Sequence, residues 1–448
     1  MDADAVVIGA GAAGLAAARR LAAGSLRVVL LEARDRTGGR VRWRAFEAAE
    51  PPAELGAEFI HGPAETTMRL LREAGSAAIA TGGESWVRDE SGELVREEDD
   101  FAAAAAATLE RASALAHDES VERFLRRFER DEALRGSVAA ARAFVEGFEA
   151  ADPAIASVRA IADELQSGTD STSARPVGGY APAFDFLRAH CVDAGVRLFL
   201  NAVVRRIVWR RGDVIVEYAG NDGVSRTVRA RAAVVTLPAG ILRGGDGAGG
   251  VVFDPELPAA KRAALSCIEM GHVVKVVMGF RSPFWERLHE GRYRDAAFFR
   301  SGTPPFMAYW TQMPLRSRLV TAWSGGPGTA ALRNVPEVDI VDRAVAGFGA
   351  LFDATTLARS ELVWSAVHDW SGDPFACGAY SYVTAGGGNA REALAESVDG
   401  ALFFAGEATS FDGQGGTVSG ALETGERAAE EVVAALRTAS PKGDVGGL

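Results

Sequence analysis

The sequence predicts an α/β protein in which a parallel-sheet domain is interrupted by an inserted α+β domain. Three observations carry that prediction. A strand, a glycine-rich turn, a helix and a second strand follow one another within the first 32 residues. A strand and a long helix close the chain from Ala401 onward. Between the two ends lies a stretch with helical periodicity, and at 448 residues the chain exceeds one ordinary core.

Taken in order, Ala5-Val6-Val7-Ile8 is an apolar run long enough for a buried strand. Gly9-Ala10-Gly11-Ala12-Ala13-Gly14 turns the chain into an Ala-rich helix from Leu15 to Ala22. A second apolar run, Arg27 to Leu31, ends in Glu32, which completes a β-α-β unit with a parallel sheet. From about Phe101 to Leu165 the chain is rich in Ala, Arg, Glu and Leu, with Val121, Phe124, Leu125 and Phe128 at helical spacing, and reads as a helical insertion. Within it, Asp152-Pro153 predicts a helix start, with Asp as cap and Pro in the first turn. Strand-like runs return at Val196 to Trp209, Val214 to Tyr218, Ala232 to Thr236 and His272 to Phe280, the last leading into Pro283-Phe284-Trp285. A final strand, Ala401 to Ala405, precedes a helix over roughly Gly416 to Leu436. The tail from Ser440 reads as disordered.

Composition excludes several classes. With 48 basic and 60 acidic residues the formal charge is −12, so no basic surplus exists to neutralise phosphates and nucleic acid is not an expected partner. No run reaches the ~18–20 apolar residues of a membrane span, and no cationic, apolar leader precedes the first strand. Cys191, Cys267 and Cys377 lie too far apart for a metal site or a disulfide framework, so no metal is expected and the cytoplasm is the default setting. Monomer and homodimer are both compatible with the sequence. Only three basic residues are lysines, which leaves 45 arginines. Lys442 falls in the tail and Lys261 on a polar helix start. Lys275 alone sits in an apolar strand.

Gly9, Gly11 and Gly14 match G-x-G-x-x-G in its full context of strand before and helix after. The first glycine permits the tight turn, the second lets backbone approach a pyrophosphate, and the third lets helix and strand pack closely. The helix N-terminus offers free N–H groups and a partial positive charge. Glu32 stands where a carboxylate can accept hydrogen bonds from ribose hydroxyls, which argues against the 2′-phosphate of NADP. Thr37-Gly38-Gly39-Arg40 follows and can wrap a second turn around the pyrophosphate, with Arg40 as counter-ion. The fingerprint leaves NAD or FAD, and Thr37-Gly38-Gly39-Arg40 after it resembles the second signature of FAD-dependent oxidases, which implies FAD in a Rossmann-like domain.

With these motifs the chain resembles the flavin-containing amine oxidase family of monoamine oxidases, polyamine oxidases and lysine-specific histone demethylases. The resemblance continues through Glu54-Leu55-Gly56-Ala57-Glu58-Phe59-Ile60-His61-Gly62, Pro176-Val177-Gly178-Gly179-Tyr180 and Thr236-Leu237-Pro238. It extends over His272 to Phe280 with Phe284-Trp285, then Trp370 with Asp373-Pro374-Phe375 and Gly378-Ala379-Tyr380-Ser381-Tyr382. The closing signature is Leu402 to Thr409 followed by Thr417-Val418-Ser419-Gly420-Ala421. The helical insertion matches only loosely. The resemblance implies a discontinuous, Rossmann-like FAD-binding domain (1–75, 195–260 and 390–440) and an inserted α+β substrate domain (76–194 and 261–389). The insertion then covers about 101–166 of the substrate domain, and 441–448 is a disordered tail.

The resemblance also implies roles. Besides the motif residues Gly9, Gly11, Gly14, Glu32, Gly38, Gly39 and Arg40, it places Ala33, Arg34, Leu55, Gly56, Ala57, Glu58, Val204, Thr236 and Pro238 at the cofactor. Trp370, Phe375, Ala379, Gly406, Glu407, Thr417, Val418 and Ala421 join them. Lys275 is flanked by β-branched residues. On position alone a solvated lysine on an edge strand and a functional buried lysine are equally good readings. The family holds a water against the flavin N5 with a lysine here. Tyr380 is one wall of an aromatic cage over the flavin, or an ordinary core tyrosine; an aromatic wall orients an amine through its ring quadrupole. Thr417 stands where monoamine oxidases carry a second tyrosine, so the cage is half-built. His61 binds substrate or caps a turn, and Glu58 attracts a cationic substrate or faces outward. Ala379 occupies the place of the family's covalent cysteine, so the FAD is expected to be non-covalent and Cys377 a plain loop thiol. Phe375 replaces a tryptophan near the flavin.

The activity implied is oxidation of a small-molecule amine to an imine and then an aldehyde, with O2 reduced to H2O2. Lys275 and Tyr380 are the catalytic candidates, and His61, Glu58, Tyr380 and Thr417 the substrate-binding ones. An L-amino-acid oxidase, or a protoporphyrinogen-oxidase- or desaturase-like enzyme, is the alternative on the same fold. An amino-acid oxidase would need an arginine clamp for the carboxylate. A flavin-bearing scaffold without turnover ranks below both, because the partner-binding module and long helical antenna of the chromatin demethylase are not found.

Overall fold

A computed structural model describes residues 1–47, 50–89, 91–97, 101–168, 172–244 and 250–438. Two sheets organise it. The first is fully parallel, in the order Arg197–Phe199, Val28–Leu31, Ala5–Ile8, Ala232–Val235, Leu402–Phe404. The central strands are buried on both faces, as expected when helices or a second layer cover a parallel sheet. The helices Ala12–Ala23, Ala181–Asp193 and Val418–Thr438 cover one face. A four-stranded layer, Val203–Arg210, Asp213–Ala219, Ser225–Ala230 and Val252–Asp254, covers the other. The sequence reads Val196 to Trp209 as one strand-like run, but the chain divides it between these two sheets. Asn201, in the left-handed region at φ +54°, makes the break.

The second sheet has seven strands in the order Leu362–Asp369, Val273–Phe280, Leu319–Gly325, Ala308–Trp310, Ala296–Arg300, Glu84–Arg88, Leu94–Arg96. Val273–Phe280 is paired on both sides, which removes the solvated-edge reading of Lys275. Val274, Val276, Met278 and Phe280 point into an aromatic core under the helices Glu337–Ala350 and Thr355–Glu361. Alternation turns Lys275 to the opposite face, where it is 1% exposed.

The insertion is helical, with Phe101–Leu109, Val121–Leu125, Arg135–Gly147 and Val158–Gln166 around Val121, Phe124, Leu125 and Phe144. No helix starts at Asp152-Pro153. The Asp152 side chain accepts from the Ala154 N–H at 2.9 Å and closes only a turn. Ala156 and Ser157 are drawn into extended bridges with Thr384 and Ser120, and Ser157 caps the helix instead, accepting from the Ala160 N–H at 3.0 Å. Lys261 is not a plain surface lysine. It is 3% exposed, its ammonium donates to the carbonyls of Ala393, Leu394 and Glu396, and it stands 4.3 Å above the Phe404 ring. Burial pushes its pKa down to about 8. The tail 441–448 lies outside the described residues. Among those described, no helix is long and apolar enough to cross a membrane.

Candidate active site

A cavity of about 1380 Å³ runs between the two sheets and under the insertion. Every residue assigned above to cofactor or substrate lines it, apart from Gly14 and Leu55. Those two act one layer back. A Cβ on Gly14 would lie 1.8 Å from the Gly9 carbonyl oxygen, so the helix can start on this turn only with glycine there. Leu55 is wholly buried, and its carbonyl accepts from the Trp370 indole at 2.9 Å.

At the glycine end, the fingerprint and the Thr37–Arg40 turn cross in backbone contact. A Cβ on Gly39 would stand 3.2 Å from the Gly11 Cα. Arg36, which the motifs did not single out, holds the second turn by donating to the carbonyls of Thr37, Val41 and Gly39. The Glu32 carboxylate accepts from the Ala10 N–H at 2.7 Å and the Arg34 N–H at 2.9 Å. Burial raises its pKa, and carboxylate lone pairs remain for further donors. Arg40 is not a free counter-ion. It pairs with Glu407 at 2.6 Å and donates to the Ala379 carbonyl at 2.8 Å. Arg34 pairs with Asp373 at 2.7 Å and lies over the Phe375 ring at 5.4 Å.

The other end is built around Lys275. Its ammonium donates to Glu58 Oε2 at 2.7 Å and to the Gly56 carbonyl at 3.1 Å. Glu58 also accepts from Arg175 Nε at 3.0 Å, the Trp310 indole at 3.0 Å and Gln312 at 3.3 Å. The outward-facing reading of Glu58 is therefore wrong: the residue is 5% exposed and its charge is met by two cations. Although burial opposes the charged form, Lys275 and Arg175 bring the Glu58 pKa down to about 2. Arg175, Trp310 and Gln312 escaped sequence reasoning because they come from distant segments and meet only through strand pairing. Glu54, two residues before Gly56, accepts from the Tyr180 N–H at 2.8 Å through Oε1, while Oε2 is buried without a protein partner. Burial lifts its pKa to about 8.

That shift has a sign. A carboxyl raised in the fold is at its most favourable below its ordinary 4.5 and loses that advantage as pH climbs through about 8. Glu54→Gln keeps the acceptor and cannot ionise. The variant is expected to flatten the fall in Tm between about pH 5 and pH 8. Thermal melts across that range check this, and identical pH profiles would refute it.

Aromatic side chains wall the inner chamber. Phe59 meets Trp310 edge-on at 5.6 Å, Trp310 lies 5.6 Å from Trp323, and His61 meets Phe148 edge-on at 5.4 Å. Burial pushes the His61 pKa down to about 4, so its imidazole is neutral at physiological pH. Tyr380 lines the chamber with its hydroxyl donating to the Phe148 carbonyl. The Thr417 hydroxyl accepts from the Gly420 N–H at 3.0 Å and caps the last helix. Cys377 does not line the cavity.

Known proteins match this arrangement. The sequence pattern described as "Flavin containing amine oxidoreductase" matches residues 88–433, well over half of the chain. The chain belongs to this family. The pattern described as "NAD(P)-binding Rossmann-like domain" matches residues 7–74. Among curated members, Lysine-specific histone demethylase 1 homolog 2 of Oryza sativa subsp. japonica is 27% identical over 97% of this chain and 57% of its own length. Lysine-specific histone demethylase 2 of Homo sapiens is 26% identical over 96% and 53%. The chain thus spans little more than half the length of these relatives. Among solved structures, putrescine oxidase bound to putrescine superposes with a TM-score of 0.78 at 20% identity, over 97% of this chain and 99% of the other. The cyclohexylamine oxidase from Brevibacterium oxydans IH-35A gives 0.77 at 21%, over 98% and 100%. These likenesses establish a shared fold.

The cofactor of this flavin amine oxidase family member is FAD, and the cleft suits it. Two crossing glycine turns present bare backbone at a helix N-terminus, where an anion is favoured. Glu32 stands at the end of the next strand, and aromatic walls with a single buried ammonium stand at the far end.

Proposed function

We propose that this protein is an FAD-dependent oxidase of a primary or secondary amine. For a primary amine the reaction balances as R–CH2–NH2 + O2 + H2O giving R–CHO + NH3 + H2O2, through an imine that water hydrolyses. When bound, FAD would supply the two-electron oxidation, with dioxygen as the final acceptor. Gly9, Gly11, Gly38 and Gly39 would hold its pyrophosphate, and Glu32 its ribose. With Ala379 where a covalent cysteine would stand, the FAD is held without a bond to protein.

The observation that carries this reading is the Lys275 ammonium at the inner end of the cavity. Two of its three N–H groups are committed to Glu58 and Gly56. The third is left for a water, which Lys275 holds for imine hydrolysis. Tyr380 and the half-buried His61 flank the amine with an aromatic face and a neutral imidazole. Oxidation at the α-carbon draws on the nitrogen lone pair, so the amine must react neutral. Turnover therefore rises with pH toward the amine's own pKa, about 10 for an alkylammonium.

The amino-acid oxidase reading fares worse on an observation. The four arginines lining the cavity among the described residues are each paired with a carboxylate: Arg34 with Asp373, Arg40 with Glu407, Arg96 with Glu84 and Arg300 with Glu97. None is left to clamp a substrate carboxylate.

Anaerobic addition of an amine panel to the purified protein is expected to bleach its flavin absorption, with peroxide formed once air is admitted. Acid precipitation is expected to release the flavin into the supernatant. Protein without flavin bands, or bands that no amine bleaches, would sink the proposal.

A further inference from the structure

The end of the insertion helix Arg135–Gly147 enters the substrate chamber, and two chamber side chains hold it. The Trp323 indole donates to the Gly147 carbonyl at 2.7 Å, and the Tyr380 hydroxyl donates to the Phe148 carbonyl. From behind, the strand end at Gly325 and Gly326 packs so closely that a Cβ on either would meet the Gly147 or Glu146 carbonyl below 3.0 Å. The backbone at Phe148 is thus pinned on two sides. Its ring is not. Of the aromatic side chains lining the cavity, Phe148 alone is exposed, at 40%. It stacks on Phe144 with centroids 4.9 Å apart and planes 17° apart, and turns its edge to His61. A ring fixed at its root and bare toward the cavity is a rigid apolar surface for a ligand to pack against.

We propose that Phe148 is the specificity-determining wall of this site, setting the size of the apolar substituent that the amine can carry. This rests on the amine-oxidase reading above. The substrate class is an amine that carries a flat or cyclic apolar group, lodged between Phe148, His61 and Tyr380.

The test compares kcat/KM of the FAD-loaded protein for cyclohexylamine, for the bulkier 1-aminoindane and 2-aminotetralin, and for putrescine. Phe148→Ala is expected to raise the ratio of bulky to small amine by about tenfold, chiefly through KM, and Phe148→Trp to lower it. Both variants should still purify with flavin bound, since Phe148 is not among the residues assigned to the cofactor. Phe148→Leu guards against an unfolded alanine variant and should lie between parent and alanine. Ratios unchanged in all three variants while the flavin still bleaches overturn the assignment of Phe148 alone. A preference for putrescine that Glu146→Gln abolishes overturns the substrate class, because it would put a second cation at the helix end. Bleaching by no amine overturns the oxidase reading, and this inference with it.

Discussion

Lys275→Met is expected to leave FAD bound and to lower amine turnover by about 10²-fold, the usual loss when one positioned hydrogen-bond donor is removed from a reacting centre. Methionine fills similar space but offers no N–H. Glu58 keeps Arg175, Trp310 and Gln312, so the carboxylate is not stranded. The segment from Glu54 to Glu58 stays tied by Trp370 on the Leu55 carbonyl and by backbone bonds to Arg40 and Arg42. The variant should therefore purify yellow. Stopped-flow measurement of flavin reduction and reoxidation separates the two half-reactions, and both unchanged would refute the role given to Lys275.

Glu58→Ala is expected to be the most destabilising single change in the site. It leaves two buried cations facing each other without their shared carboxylate, and breaking such a pair costs about 3–5 kcal/mol. Denaturant unfolding of the FAD-loaded protein reads this directly. The pH dependence has a definite sign. A carboxyl lowered in the fold stabilises above its ordinary 4.5, and that contribution disappears as pH falls toward about 2. The parent should lose stability across that window and Glu58→Ala should lose much less. If the variant were as stable as the parent at pH 7, the ion cluster would not be holding the site together.

Much of this was legible in the sequence. The fingerprint needs no tertiary information, because strand, turn and helix are contiguous and the glycines are demanded by local geometry. Lys275 was legible because a charge among β-branched residues has few explanations. Its partners were not. Arg175 and Trp310 sit 100 and 35 residues away from it and reach Glu58 only after two sheets have formed. Lys261 misled for a related reason: next to Arg262 on a short helix it looks like a surface charge, while the carbonyls it caps belong to the helix Ala390–Ala395. At Asp152-Pro153 the local capping signal was sound, but bridges to Ser120 and Thr384 kept the following residues extended and moved the helix start to Val158. Phe148 carried no signal at all, since a phenylalanine at a helix end is ordinary until the hydroxyl of a residue 232 positions later is seen to hold its carbonyl.

The parallel sheet under the cofactor draws its five strands from residues 5–31, 197–235 and 402–404. The last helix, Val418–Thr438, packs on the first, Ala12–Ala23. During synthesis, therefore, the glycine fingerprint leaves the ribosome long before its partners and waits. Its covering helix and the strand that leads into Gly406 and Glu407 emerge only when roughly 390 or more further residues are out. Long-range parallel pairing of this kind is slow. The nascent chain must keep an apolar strand and an alanine-rich helix from straying while the substrate-side layers assemble, and a cleft able to take up FAD exists only once Thr417, Val418 and Ala421 have emerged.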